Sequence, residues 1–280
     1  MAYLKPTVPT LTPAPLPRGR LLDLIPTIST DARWMDGVSW APWPSRNVLA
    51  SSVDTCNPAP STDIDRYGCT PYVDQQSFRL YDALTGGAIE FTAGELKGLL
   101  SDRFALITSY AFAKELLSGA ASGGNSLSQA AHAPTGLAFG SGAVPVVDAL
   151  AFLEAELART LFGGQGIIHV SPAVMFHARE HLERDGDRWT TPSGHLVVFD
   201  GGYVDAVEPT GQAASSATEE WIYASGPVAY EATNPRFVGG DDDAFELERN
   251  LYEVYMDSYG LLQFDADPVT AALVTFGTES

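Results

Sequence analysis

Cysteine is nearly absent. Cys56 and Cys69 are the only two in 280 residues, too few for a disulfide scaffold or a four-sulfur zinc site. They read as reduced thiols. Standing 13 positions apart in a turn-rich stretch, they also leave open a bridge formed late in an oxidising medium. No run of about 18 apolar residues occurs, and the first residues, Met1 to Pro9, lack the hydrophobic stretch of a secretion signal. The chain is expected to be soluble, to contact no membrane, and to stay where it is made. Positive charge is scarce as well: 16 basic residues against 35 acidic ones give a net charge of −19, which repels phosphates and excludes a free-standing nucleic-acid binder unless the bases gather on one face. Internal repeats are missing.

Apolar residues are plentiful. At 45% hydrophobic and 10% aromatic, the chain is not disordered and holds enough core for one large domain or two modest ones. Residues 1–17 contain Pro6, Pro9, Pro13, Pro15 and Pro17, which forbid helix and favour an extended arm. The Val and Leu residues among these prolines, with Leu21, Leu22, Leu24 and Ile25 behind them, suggest an arm lying against something apolar. Residues 1–50 carry five bases and three acids, +2, leaving −21 for the rest. Trp34, Trp40 and Trp43 crowd ten positions with Pro42 and Pro44, a pattern too irregular for helix that serves either a local core or an interface.

Residues 45–90 read as short extended segments broken by turns, in the manner of a long hairpin or protruding loop. Leu96, Leu99, Leu100, Phe104, Ile107, Tyr110, Ala111 and Leu117 recur at three- and four-residue spacing, predicting a helix over 95–117 about 30 Å long. The Gly, Ser and Ala of 118–142 predict loop or short strands. Next come a helix over 147–161 with Leu150, Leu153, Leu157 and Leu161 inward, a buried strand at 167–170, and a helix that Ser171 caps and Pro172 opens. That helix is expected to stop at Asp185-Gly186, before a strand at 195–200. Helix, strand, helix, strand makes a compact α/β unit. Residues 221–232 read as a strand pair hinged on Gly226-Pro227, 245–259 as a strand or a helix, and 261–264 and 269–276 as closing strands.

The sharpest catalytic candidate is His177-Ala-Arg-Glu180-His181, which spells the H-x-x-E-H pattern of a zinc peptidase. A metal site there needs a third ligand, with Glu248 or Glu253 as candidates, and would use Glu180 as general base. Opposing this, the two histidines lie across from an apolar face of Val174, Met175, Ala178 and Leu182 and read as solvent-facing. Gly163-Gly164-Gln165-Gly166 precedes a strand and lacks the Gly-Lys pair of a phosphate loop, so a helix-ending turn is expected. Gly239-Gly240-Asp241-Asp242-Asp243 lacks the alternating ligands of a calcium loop and reads as a solvated acidic loop. Gly140-Ser141-Gly142 is out of phase for a nucleophile elbow, and His132, His169 and His195 stand alone. No cofactor, metal or catalytic residue is expected.

The order of segments resembles the major capsid proteins of tailed bacteriophages, the Hong Kong 97 fold shared with encapsulin shells. An arm is followed by an extended loop, a spine helix, and a glycine-rich passage leading through Ala133-Pro134-Thr135-Gly136-Leu137. Then come an α/β unit with Ile168-His169-Val170-Ser171-Pro172 and Ser193-Gly194-His195-Leu196-Val197-Val198, and closing strands around Phe245 to Asn250, Ser258 to Leu262 and Asp267-Pro268. The resemblance implies an α+β architecture with an N-terminal arm (1–45), an extended loop with flanking strands (46–90) and a peripheral domain with the spine helix (91–143). An α/β axial domain (144–215) and closing strands shared by the peripheral and axial domains (216–280) complete it. It implies a non-enzymatic protein assembling with itself into hexamers and pentamers of an icosahedral virion shell, built in the host cytoplasm. Such a shell holds double-stranded DNA without reading its sequence, and portal, scaffolding or decoration proteins are possible further partners. Contacts between subunits are expected from Pro9, Leu11, Leu16, Leu21, Leu22, Trp34, Trp40, Trp43, Tyr67 and Tyr72. Nothing in the sequence fixes a lysine and asparagine pair for covalent crosslinking. An encapsulin shell, another virion subunit and the zinc peptidase are the alternatives.

Overall fold

The computed structural model describes residues 20–28, 34–40, 73–87, 90–131, 142–204, 208–209, 216–238, 245–246, 251–265 and 268–276. In chain order the helices are α1 (Leu21–Leu24), α2 (Ala93–Ser118), α3 (Leu127–Ala130), α4 (Val146–Thr160) and α5 (Pro172–Ala178). The early strands are β1 (Val38–Trp40), β2 (Val73–Gln75), β3 (Phe78–Gly87), β4 (Val144–Pro145), β5 (Ile167–Val170), β6 (Glu183–Asp185) and β7 (Arg188–Thr190). The later ones are β8 (Leu196–Phe199), β9 (Glu219–Ser225), β10 (Val228–Ala232), β11 (Arg236–Val238), β12 (Phe245–Glu246), β13 (Leu251–Phe264) and β14 (Thr270–Thr275). They divide between two compact units, the smaller containing 80–108 and 234–258 and the larger containing 18–79, 109–233 and 259–280.

The larger unit is built on a seven-stranded sheet in the order β4-β14-β9-β5-β8-β7-β6. Strand β5 runs parallel to β8 and antiparallel to β9, while β14 pairs antiparallel with β9 and parallel with β4. Successive side chains on a strand face opposite ways, so Ile168, Val170, Val197, Ile222, Ala224, Ala272 and Val274 share one face. Ala149, Leu150, Leu153 and Leu157 of α4 and Val174, Met175 and Ala178 of α5 close over it as a single core. The four inward leucines expected on α4 are all buried. Ser171 caps α5 by accepting the Val174 amide at 3.2 Å.

In the smaller unit Leu96, Leu100 and Phe104, one face of α2 at four-residue intervals, bury against Val254 and Met256 of β13 and against Leu80 and Leu84 of β3. A capping box opens the helix: the Thr92 amide donates to Glu95 Oε2 at 2.8 Å and the Glu95 amide to Thr92 Oγ1 at 3.2 Å. The Thr92 amide, together with the Thr92 hydroxyl, which donates to the same Glu95 Oε2 at 2.9 Å, holds the Glu95 carboxyl below the usual carboxylate range.

Several sequence expectations need correcting. Tyr110 is 44% exposed, whereas Phe112, Ala113, Leu116 and Leu117 are buried, because from Ser109 onward α2 belongs to the larger unit and its buried face changes. The glycine-rich stretch holds a helical turn, α3, capped by Ser126 through the Gln129 amide. The helix opened by Pro172 gives way at Arg179–His181 to a 3-10 turn, and a β6–β7 hairpin turning on Gly186, φ 59°, takes the place of its expected last residues. Strands β9 and β10 do not pair with each other: β10 pairs antiparallel with Tyr259-following residues 260–264 of β13, so Gly226-Pro227 is a passage between two sheets. In the segment open between strand and helix, the described residues are strand: β12 pairs antiparallel with the start of β13, and residues 261–264 continue β13.

Candidate functional site

The peptidase-like motif lies where α5 ends. His177 occupies the last turn of α5, but Glu180 and His181 fall in the 3-10 turn beyond it, so the motif does not lie on one continuous α-helix as H-x-x-E-H chemistry requires. All three side chains are exposed. Glu253 belongs to the other unit, and Glu248 lies outside the described residues. Among the described residues no three His, Cys, Asp or Glu side chains gather as metal ligands.

The motif instead lines a groove of about 580 Å³ together with Pro145, Val146, Val147, Phe176, Thr275 and Phe276. His177 stacks on Phe276 at 5.8 Å and 22°, and the Arg179 guanidinium sits 4.2 Å above the Phe176 ring. These stacked pairs hold flat cationic and aromatic groups at the mouth. Phe176 and Val147 remain 60% and 43% exposed. Two exposed apolar side chains flanked by Arg179, His177 and His181 suit contact with a surface rather than chemistry on a bond.

Behind the sheet, on the face away from α4 and α5, lies a fully buried polar chain. Ser225 Oγ donates to the Gly226 carbonyl at 2.9 Å, so its hydroxyl accepts from His169 Nε2 at 2.9 Å, and His169 Nδ1 in turn accepts from the Tyr203 hydroxyl at 2.9 Å. This order fixes the Nε2–H tautomer of a neutral imidazole. Burial lowers the His169 pKa from 6.5 to about 3, and burial with the nearby Asp200 charge raises that of Tyr203 well above 10.0. Asp200, 3% exposed, accepts from Ser109 Oγ at 2.8 Å, the Gly202 amide at 3.1 Å and the Leu21 amide at 3.4 Å. Each imidazole nitrogen and each Asp200 oxygen therefore has a partner, and the network pins α1 and the second half of α2 to the end of β8. It is structural. His195 likewise accepts the Gly166 amide at 3.0 Å through Nδ1, inside the turn expected at Gly163 to Gly166.

Of the side chains expected between subunits, Leu21 and Trp34 are buried within the protomer and Leu22 and Trp40 are half-buried, with Trp40 Nε1 donating to Asp265 at 2.9 Å. Pro9, Leu11, Leu16, Trp43, Tyr67 and Tyr72 lie outside the described residues, as do Cys56, Cys69, the Pro134–Leu137 passage and the Gly239–Asp243 loop. The sequence did not single out the exposed apolar residues Val147, Phe162 and Phe176. Phe162 stands between a helix end and Gly163-Gly164, a signal the eye passes over because the glycines account for the turn.

No protein-family model and no curated protein matches the chain. Solved structures do. A chain of Gordonia phage Cozz aligns with a TM-score of 0.55 at 10% identity, covering 99% of this chain and 92% of that one. The capsid of an empty GTA particle aligns at 0.53 with 14% identity over 98% and 96%. The holo-SrpI encapsulin complex from Synechococcus elongatus aligns at 0.50 with 11% identity over 100% and 96%. The chain has the Hong Kong 97 capsid fold, a mixed α/β architecture.

Proposed function

We propose that this is a structural, non-catalytic shell protein, and within that class the major capsid protein of a tailed bacteriophage. It assembles with itself into hexamers and pentamers of an icosahedral shell around double-stranded DNA. The observation that carries the proposal is the end-to-end likeness to the capsid of a GTA particle, with the phage chain and the encapsulin beside it. The acidic charge of −19 supports a container for DNA, since an inner wall that repels phosphates lets packed duplex slide. On this reading residues 1–45 and 46–90 reach over neighbouring subunits, 91–143 form the peripheral domain, 144–215 the axial domain, and 216–280 the strands that close both. Pro9, Leu11, Leu16, Leu21, Leu22, Trp34, Trp40, Trp43, Tyr67 and Tyr72 contribute to contacts between subunits. Each contact has to bury about 1,000 Å² or more to be stable. The protein is built in the host cytoplasm, resides in the virion, and meets a portal and scaffolding or decoration proteins there.

A second reading, an encapsulin-like compartment, is favoured by the match to the SrpI complex over 100% of this chain. Size-exclusion chromatography and negative-stain microscopy of purified protein test the class: closed particles tens of nanometres across are expected, and a stable monomer at all concentrations refutes it. Nuclease-protected DNA inside virion-derived particles separates the phage reading from a protein-filled compartment. Deleting residues 1–20 should leave a folded protomer unable to assemble; normal particles from that truncation would refute the role given to the arm.

A further inference from the structure

Helix α1 is held more firmly than its own sequence accounts for. It is a single turn, Leu21–Leu24, and Arg20 before it supplies no side-chain cap. A turn this short does not stand by itself in water. Contacts with distant parts of the larger unit hold it instead. Leu21 and Ile25 are 0% and 6% exposed, and the Leu21 amide donates to Asp200 Oδ2 at 3.4 Å. Just beyond, Pro26 to Ile28 lie along the edge of β10. The Tyr230 amide donates to the Pro26 carbonyl at 3.1 Å and the Ile28 amide to the Tyr230 carbonyl at 2.7 Å.

Asp200 is the unexpected member of this root. Its carboxylate is 3% exposed, and the donors that reach it, the Leu21 amide, the Ser109 hydroxyl and the Gly202 amide, are all neutral. Burying an ion on neutral partners is a poor route to stability, since a well-packed apolar group in its place is often as stable or more so. What the carboxylate supplies is geometry. Its donors lie 179, 91 and 2 residues away in sequence, and one oxygen, Oδ2, takes both the Leu21 amide of α1 and the Ser109 hydroxyl of α2. It thereby fixes α1 against a long helix at the end of β8. Residues 1–19, which precede this root, contain no acidic residue and five prolines. A proline-rich stretch is a semi-rigid spacer that carries a direction outward from its point of attachment.

We infer that Asp200 is the positioning residue for the arm: through α1 it sets where residues 1–19 leave the protomer and in which direction, and so whether they reach the neighbouring subunit. The inference rests on the shell-forming reading and divides its arm in two. Residues 20–28 are a root that stays on its own protomer, and residues 1–19 are the part that crosses. Leu21 then serves the contacts between subunits from inside its own copy.

Hydrogen exchange on the unassembled full-length protomer and light scattering over a concentration series test it. In Asp200→Asn the side-chain oxygen stays with the Gly202 amide and an NH2 group faces Leu21, whose amide loses its acceptor. The amides of Asp23 and Ile25, which close α1, should exchange about tenfold faster or more, and assembly should need a concentration about tenfold higher or more. Thr92→Ala, which weakens the capping box of α2 and not the root, should lower the urea midpoint while leaving both readings at wild-type values. Ile28→Pro removes the amide bonded to Tyr230 without touching Asp200. It should reproduce both changes, which keeps the test decisive if Asp200→Asn does not fold. Faster exchange in the root with a wild-type assembly threshold, or unchanged exchange there in Asp200→Asn, overturns the positioning role while the shell reading stands. A wild type that never assembles overturns both.

Discussion

Replacing His169 with glutamine should alter both the stability of the fold and how that stability depends on pH. The imidazole is buried and neutral in the folded state, with its pKa lowered from 6.5 to about 3. In the unfolded chain it titrates near its ordinary value. Between these two values the unfolded state binds a proton that the folded state refuses, so stability is intact above the unfolded pKa and falls as pH drops through the window. From pH 7 to pH 5 the loss from this one residue is about 2 kcal/mol, and because the folded pKa lies far below 5 its exact position does not enter. His169→Gln keeps a donor for Ser225 but leaves the Tyr203 hydroxyl to find another acceptor, which costs about 1–3 kcal/mol at pH 7. Urea unfolding of unassembled protomer, followed by tryptophan fluorescence at pH 7, 6 and 5, measures both effects. The buried Trp221 on β9 reports on the affected sheet. His195, whose pKa is also lowered by burial, is present in both proteins and cancels in their difference. The gap between wild type and His169→Gln should shrink by about 2 kcal/mol on going from pH 7 to pH 5. A constant gap would refute the assignment of a neutral, buried imidazole.

Two further substitutions test the packing. A Cβ at Gly202 would lie 2.7 Å from Ala113 Cβ and the Lys114 amide nitrogen and would also strike the Tyr110 carbonyl; Gly202→Ala should therefore cost about 1–3 kcal/mol, seen as a lowered urea midpoint, and an unchanged midpoint would contradict the close approach of α2. Thr92→Ala removes the acceptor for the Glu95 amide and should cost about 1 kcal/mol, with faster hydrogen exchange in the first turn of α2; unchanged exchange there would contradict the capping box.

Much of the fold was legible in the residues because local chemistry speaks loudly there. The leucines of α4 at three- and four-residue spacing, the serine and proline opening α5, and the apolar run of β5 each signal an element without help from distant sequence. The Thr92-x-x-Glu95 box was available by the same logic and was passed over. The order of segments also carried the resemblance to the capsid fold, which the structural matches bear out. By contrast, the peptidase-like spacing of His177, Glu180 and His181 assumed a helix that continues, and it breaks at Ala178 where the chain turns into the β6–β7 hairpin.

What the sequence determined by itself was which segments could be helix or strand and that the surface would be acidic, since both follow from residue type and near-neighbour spacing. Only the tertiary structure decided that β9 and β10 join different sheets, and that α2 changes its buried face at Ser109. It alone placed a lone histidine between Tyr203 and Ser225 and brought the Leu21 amide to Asp200. Those outcomes depend on pairings between residues far apart in the chain, and the free energy of such pairings is set by burial and packing that no local pattern encodes.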